Sequence, residues 1–187
     1  RRAKLFPPPV GSNPTKARFW IIWNASSAAS MGFETPTQQG NVMLAMNREA
    51  LAAFLHSDFP QVAVDHVVDE VSDTGVTLRL HASDRHLRPG GTVSGPAMFG
   101  LADVAFYLAV LSRIGPVALA VTTNASIDFM RKPVAGRDLI AQASILKLGR
   151  TLAVGNVMIF SEGMAEPVAR AGMTYSIPPG AAASAAS

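Results

Sequence analysis

From Ser94 to Ser112 the chain reads SGPAMFGLADVAFYLAVLS, and Asp103 is the one side chain in it that is charged at neutral pH. The lead-in, His86 to Val93, is a turn rich in Gly and Pro (HLRPGGTV). The segment is long enough for roughly four or more helical turns. A helix that is apolar nearly all round is buried, so the fold must supply cover on several sides. A carboxylate in its middle then demands a reason, because an unpaired buried charge is too costly to persist. Either Asp103 has a structural partner, or it does chemistry beside the glycine turn.

The cover is readable on both sides of this helix. Asn47 is placed to cap a short helix, NREALAAFLHS, with Leu51, Phe54 and Leu55 on one side. Residues 62–69 suit a strand. Residues 76–82 alternate, with Val76, Leu78 and Leu80 facing one way and Thr77, Arg79 and His81 the other. Asp73-Thr74-Gly75 is a turn between these runs. Beyond the helix, Gly115-Pro116 breaks the chain, and strand-like runs follow at 117–129, 138–147, 151–160 and 167–177. Their short connections favour an antiparallel sheet. The expected fold is α+β, a curved antiparallel sheet wrapped around one long central helix. Gly100, inside that helix, is expected to permit a close strand or helix contact.

Residues 1–30 differ from the rest. They hold Arg1, Arg2, Lys4, Lys16 and Arg18 and no acid, whereas residues 31–187 carry the other 11 basic side chains and all 13 acids. The body is therefore mildly acidic despite the net charge of +3, and no nucleic-acid partner is expected. FWIIW (19–23) is too short for a membrane span, and no membrane partner is expected. The expected organisation is a disordered or non-native extension over 1–30, one domain over 31–178, and a disordered low-complexity tail over 179–187. There is no cysteine, which excludes thiolate chemistry and zinc–sulfur sites. His56, His66 and His81 are too scattered to suggest a metal site, and no cofactor is expected.

These residues resemble the PaaI-like acyl-CoA thioesterases of the hotdog fold, whose signature is roughly H-x-N-x-x-G-x-x-H-G-G followed by an apolar helix with L-x-D. The matching stretch runs from His86 through Arg88, Gly91, Ser94, Gly95 and Pro96 to Leu101-Ala-Asp103. Thr122 with IDFMRKP (127–133), and LKLGRTLAVGNV (146–157), resemble the family's following strands. The resemblance covers about residues 47–178. Arg88 stands where the family has asparagine, and Ser94 where it has histidine.

The resemblance implies a cytoplasmic hydrolase acting on an acyl-CoA, with a site shared across a dimer. It makes Asp103 the catalytic carboxylate, as general base or nucleophile, and Gly95 the oxyanion donor. Thr122 would position water or Asp103. Arg88 would stand in as a donor for the missing asparagine, and Ser94 is most simply the helix cap. Arg131, Lys132 and Arg150 are candidates for the phosphates of coenzyme A.

Physical chemistry points the same way for Gly95, since free N–H groups at a helix start favour an anion. Asp103 lies eight residues further on, roughly 12 Å along a helix. That is too far for both to serve one carbonyl within a chain. A homo-oligomer is therefore expected, at least a dimer and preferably a homotetramer built as a dimer of dimers. Two other activities fit the same fold: acyl-CoA binding without hydrolysis, and an enoyl-thioester hydratase or dehydratase.

Overall fold

Ser94 Oγ accepts the Ala97 N–H at 3.4 Å and starts helix α3, Gly95–Ile114, with Pro96 in its first turn. Gly115 ends it in a positive-φ conformation (88°) that suits glycine. The computed structural model describes residues 44–179. The expectation for residues 1–30, and that for the tail 179–187 beyond its first residue, lie outside the described residues.

The other elements are α1 (Arg48–Asp58), α2 (Pro60–Ala63), β1 (His66–Val71), β2 (Gly75–Leu80), β3 (Leu87–Arg88), β4 (Thr92–Val93), β5 (Val121–Phe129), β6 (Leu139–Leu148), β7 (Leu152–Ser161) and β8 (Pro167–Ser176). Six strands form one antiparallel sheet in the order β1-β2-β6-β7-β8-β5, and β3 and β4 form a small hairpin of their own. The sheet wraps α3, which packs on β2, β5, β6, β7 and β8. This is the hotdog arrangement.

Leu101, Phe106, Leu108 and Leu111 of α3 are fully buried, and each such side chain contributes about 1.5–3 kcal/mol by leaving water. They meet Val76, Leu78 and Leu80, the inward set of β2, and Val157 and Ile159 of β7. Gly155 is a requirement of this packing. A Cβ there would lie 2.2 Å from the Phe106 ring, so only glycine lets the ring rest on β7. Asn47 caps α1 as expected, its Oδ1 accepting the Ala50 N–H at 2.9 Å.

Three local expectations are corrected. Residues 62–63 belong to a helical turn, because Pro60 suits the start of a helix and carries the chain through Ala63 before β1 begins. Strand β5 begins at Val121, since Gly115 to Ala120 are used in the turn out of α3. Gly100 makes no close contact among the described residues. It is exposed, and a Cβ there would meet nothing within 4 Å.

Candidate active site

Three hydrogen bonds gather on Asp103, midway along α3. The Thr122 hydroxyl, near the start of β5, donates to Asp103 Oδ1 at 2.6 Å. The Tyr175 hydroxyl, near the end of β8, donates to the same oxygen at 2.7 Å and lies 3.0 Å from the Asp103 carbonyl oxygen. The register explains the meeting, because Thr122 and Tyr175 are direct neighbours across the β5–β8 pair. Among the described residues nothing donates to Oδ2. Asp103 itself lines a cavity.

The cavity has a volume of about 410 Å³. Its walls combine Phe54 and Phe59 from the α1–α2 corner, Val104 and Tyr107 from α3, and Ala118, Ala120 and Val121 from the turn into β5. Asp58 and Gln61 add polar groups. An apolar cleft of this size with a few convergent polar groups is the usual form of a small-molecule site. Burial, followed by the bond to Asp103 and its charge, pushes the Tyr175 phenol far above its ordinary range, and the bond with Thr122 offsets part of this. Tyr175 therefore remains a donor. Burial and the charge of Asp58 also push Tyr107 up.

Of the residues singled out in the sequence, Asp103 and Thr122 come together, and the others stand apart from their cavity. Ser94 is the α3 cap. Gly95 lies against the far end of β5, where a Cβ would sit 3.1 Å from the Phe129 ring. Arg88 is exposed on β3. The lead-in to α3 is held by His86. Its Nδ1 accepts the Ser83 N–H at 3.0 Å, its Nε2 is 3.2 Å from Asp65 Oδ2, and its carbonyl accepts the Ser94 N–H at 2.8 Å.

The basic residues divide. Arg131 follows β5 at its Phe129 end, pairs with Glu166 at 2.7 Å and donates to the Pro167 carbonyl. Lys132 adjoins it and is exposed. Arg150 sits in the β6–β7 turn, next to Leu152, which pairs with Ser176 at the Thr122 end. Thr122 and Phe129, near the two ends of β5, are seven residues apart, roughly 24 Å at about 3.4 Å per residue. One chain cannot bring all three cations to one phosphate group.

Tyr175 is a member of the Asp103 cluster that no motif spacing marks. A signal existed. Ala169, Ala171, Met173 and Tyr175 alternate inward along β8, and a buried tyrosine hydroxyl needs a partner.

Comparison with known proteins gives the family and the fold. A family model described as the thioesterase superfamily matches residues 90–168. No curated protein matches. A candidate thioesterase from Silicibacter sp. TM1040 is similar at 56% identity, covering 75% of this chain and 97% of that one, with a TM-score of 0.70. A variant of the phenylacetic acid degradation protein PaaI from Thermus thermophilus is 28% identical, covering 67% and 99%, with a TM-score of 0.55. A hypothetical thioesterase from Streptococcus pneumoniae, solved with coenzyme A, shares the fold at 22% identity, covering 70% and 98%, with a TM-score of 0.59. Because the 56% identity runs over 97% of the Silicibacter protein, and the family model matches the stretch that contains α3 and strands β5 to β7, this chain belongs to the thioesterase superfamily.

Proposed function

We propose that the protein hydrolyses the thioester of a small or medium acyl- or aryl-acyl-CoA. The observation that carries this reading is the asymmetric carboxylate of Asp103 at the wall of an apolar cavity, with Oδ1 fixed by two hydroxyls and no donor to Oδ2 among the described residues. Oδ2 takes a proton from water, or attacks the carbonyl itself. In the first case a C–O bond forms from water, the C–S bond breaks, and the proton passes to the departing thiolate of coenzyme A. The cavity walls of Phe54, Phe59 and Tyr107 suit the acyl or aryl group.

The oxyanion donor comes from a second copy. Strand β5 is an edge of the sheet, and its Val121 and Phe129 are 54% and 53% exposed, which leaves apolar surface on an unpaired edge. Phe99 and Gly100 leave one face of α3 open beside it. Antiparallel pairing of β5 with the same strand of a partner would set the Phe129 end of one subunit beside the Thr122 end of the other. The helix start at Gly95 would then approach the Asp103 of the facing subunit. Arg131 and Lys132 of one chain would likewise approach Arg150 of the other, which offers the coenzyme phosphates one basic patch. The assembly is a dimer or a pair of dimers. The Streptococcus neighbour, solved with coenzyme A, supports the ligand class, and that substrate carries a cytoplasmic setting with it.

Thiol release from a panel of short, medium and aromatic acyl-CoAs tests the proposal. Turnover of at least one is expected. Binding without thiol release would favour an acyl-CoA-binding protein instead, and hydration of crotonyl-CoA would favour the hydratase.

A further inference from the structure

Tyr175 lines the cavity beside Asp103 and Thr122, and the manner of its contact with Asp103 is informative. The residue is 3% exposed. It is wedged between Phe106, edge-on at 5.5 Å, and Tyr107, stacked at 6.1 Å with 27° between the planes. A tyrosine clamped on both sides has no other rotamer to visit, so its hydroxyl is a fixed point. Thr122 reaches the same Oδ1 from the neighbouring strand. Two hydroxyls on one oxygen leave the other as the free end of the carboxylate.

We propose that Tyr175 is a positioning residue for the hydrolysis, acting with Thr122 to hold Asp103 Oδ1 so that Oδ2 alone is presented to the substrate. The inference rests on the thioesterase reading given above and adds a residue to it. The buried phenol stays protonated, so it remains a donor throughout the working pH range. Without it, one hydroxyl on Oδ1 is a single pivot, about which the carboxylate can turn. A misplacement of about 1 Å can cost on the order of 10²-fold in rate. The effect belongs in kcat, because Tyr175 acts on the reacting group and not on the coenzyme.

Tyr175→Phe keeps the ring, its stacking and its volume and removes only the donor. On whichever acyl-CoA the wild type turns over, kcat is expected to fall about 10–10²-fold with KM within about two-fold. The melting temperature, measured on the same preparation, should show the variant folded at the assay temperature. The same substitution in an Asp103→Asn background distinguishes positioning from direct action. If Tyr175 works through Asp103, it should lower kcat no further there.

Wild-type kcat in a folded Tyr175→Phe overturns the inference and leaves the hydrolase reading standing. So does a full additional loss in the Asp103→Asn background, which would mean that Tyr175 meets the substrate itself. Absence of thiol release by the wild type across the panel overturns both. Should Tyr175→Phe fail to fold, Thr122→Val with Tyr175 intact reads the same clamp from its other side. A folded Thr122→Val with unchanged kcat would then overturn the two-hydroxyl account.

Discussion

The Thr122 hydroxyl donates to Asp103 Oδ1 at 2.6 Å, linking the first strand after the helix to a carboxylate 19 residues earlier. Thr122→Val keeps the branched shape and deletes the donor. We expect kcat to fall about 10–10²-fold, with a stability loss of roughly 1.5–3 kcal/mol for one hydrogen bond to a charged group. Steady-state kinetics beside a melting curve would check this. Unchanged kcat would reduce the Thr122 contact to a fold-supporting one.

Assembly is the second expectation. Sedimentation should show a dimer or larger at micromolar concentration. Phe99 is 39% exposed on the open face of α3, and Phe99→Glu should shift the protein toward monomer and lower activity together. A stable, fully active monomer would remove the shared site from the account.

The coenzyme contacts give a kinetic signature. Arg150→Ala should raise KM severalfold, with an effect that weakens in added salt and leaves kcat within about two-fold. Equal constants for variant and wild type would return Arg150 to the role of a solvated turn charge. Arg131 is already engaged with Glu166, so its removal should matter less.

Two half-buried imidazoles predict a pH dependence of stability. Burial lowers both His66 and His86 from 6.5; the charge of His86 adds to the effect on His66, and that of Arg85 to the effect on His86. A pKa lowered by folding means that the contribution is fully present above the unfolded value. It is lost as pH falls through the window below about 6.5. The geometry agrees for His66, whose Nδ1 is 2.9 Å from the Val62 carbonyl while Nε2 is buried with no partner among the described residues. Protonation would leave a buried N–H unpaired. The melting temperature should be level above about pH 7 and decline toward about pH 5.5, and His66→Phe should flatten part of the decline. A profile flat or rising on acidification would show that these rings are not what titrates.

Much of the fold was legible because its elements are long relative to their period. The inward set Val76, Leu78 and Leu80, the apolar run of α3 and the Asn47 cap each state a local rule that the tertiary structure keeps. Strands β3 and β4 are two residues each, too short for any alternation to show. Pro60 was decisive for residues 62–63 but lies outside the alternating run it interrupts.

The site was legible in part for a different reason. Asp103 stands out locally, as a charge in an apolar helix. Its partner Tyr175 is 72 residues away and becomes a neighbour only through the β5–β8 register. The separation of Arg131 from Arg150 likewise depends on strand order, which no local pattern encodes.

Asp103→Asn tests the central claim most directly. The amide can keep its oxygen under the Thr122 and Tyr175 hydroxyls and turn its nitrogen to the cavity, so shape and clamp survive while the base is lost. Measured on one preparation, kcat should fall about 10²–10⁴-fold, with the melting temperature held or raised because a charge has left a partly buried position. A variant that melts much lower yet turns over at a near-normal rate at a permissive temperature would contradict the account, and Asp103 would then support the fold while the chemistry lies elsewhere.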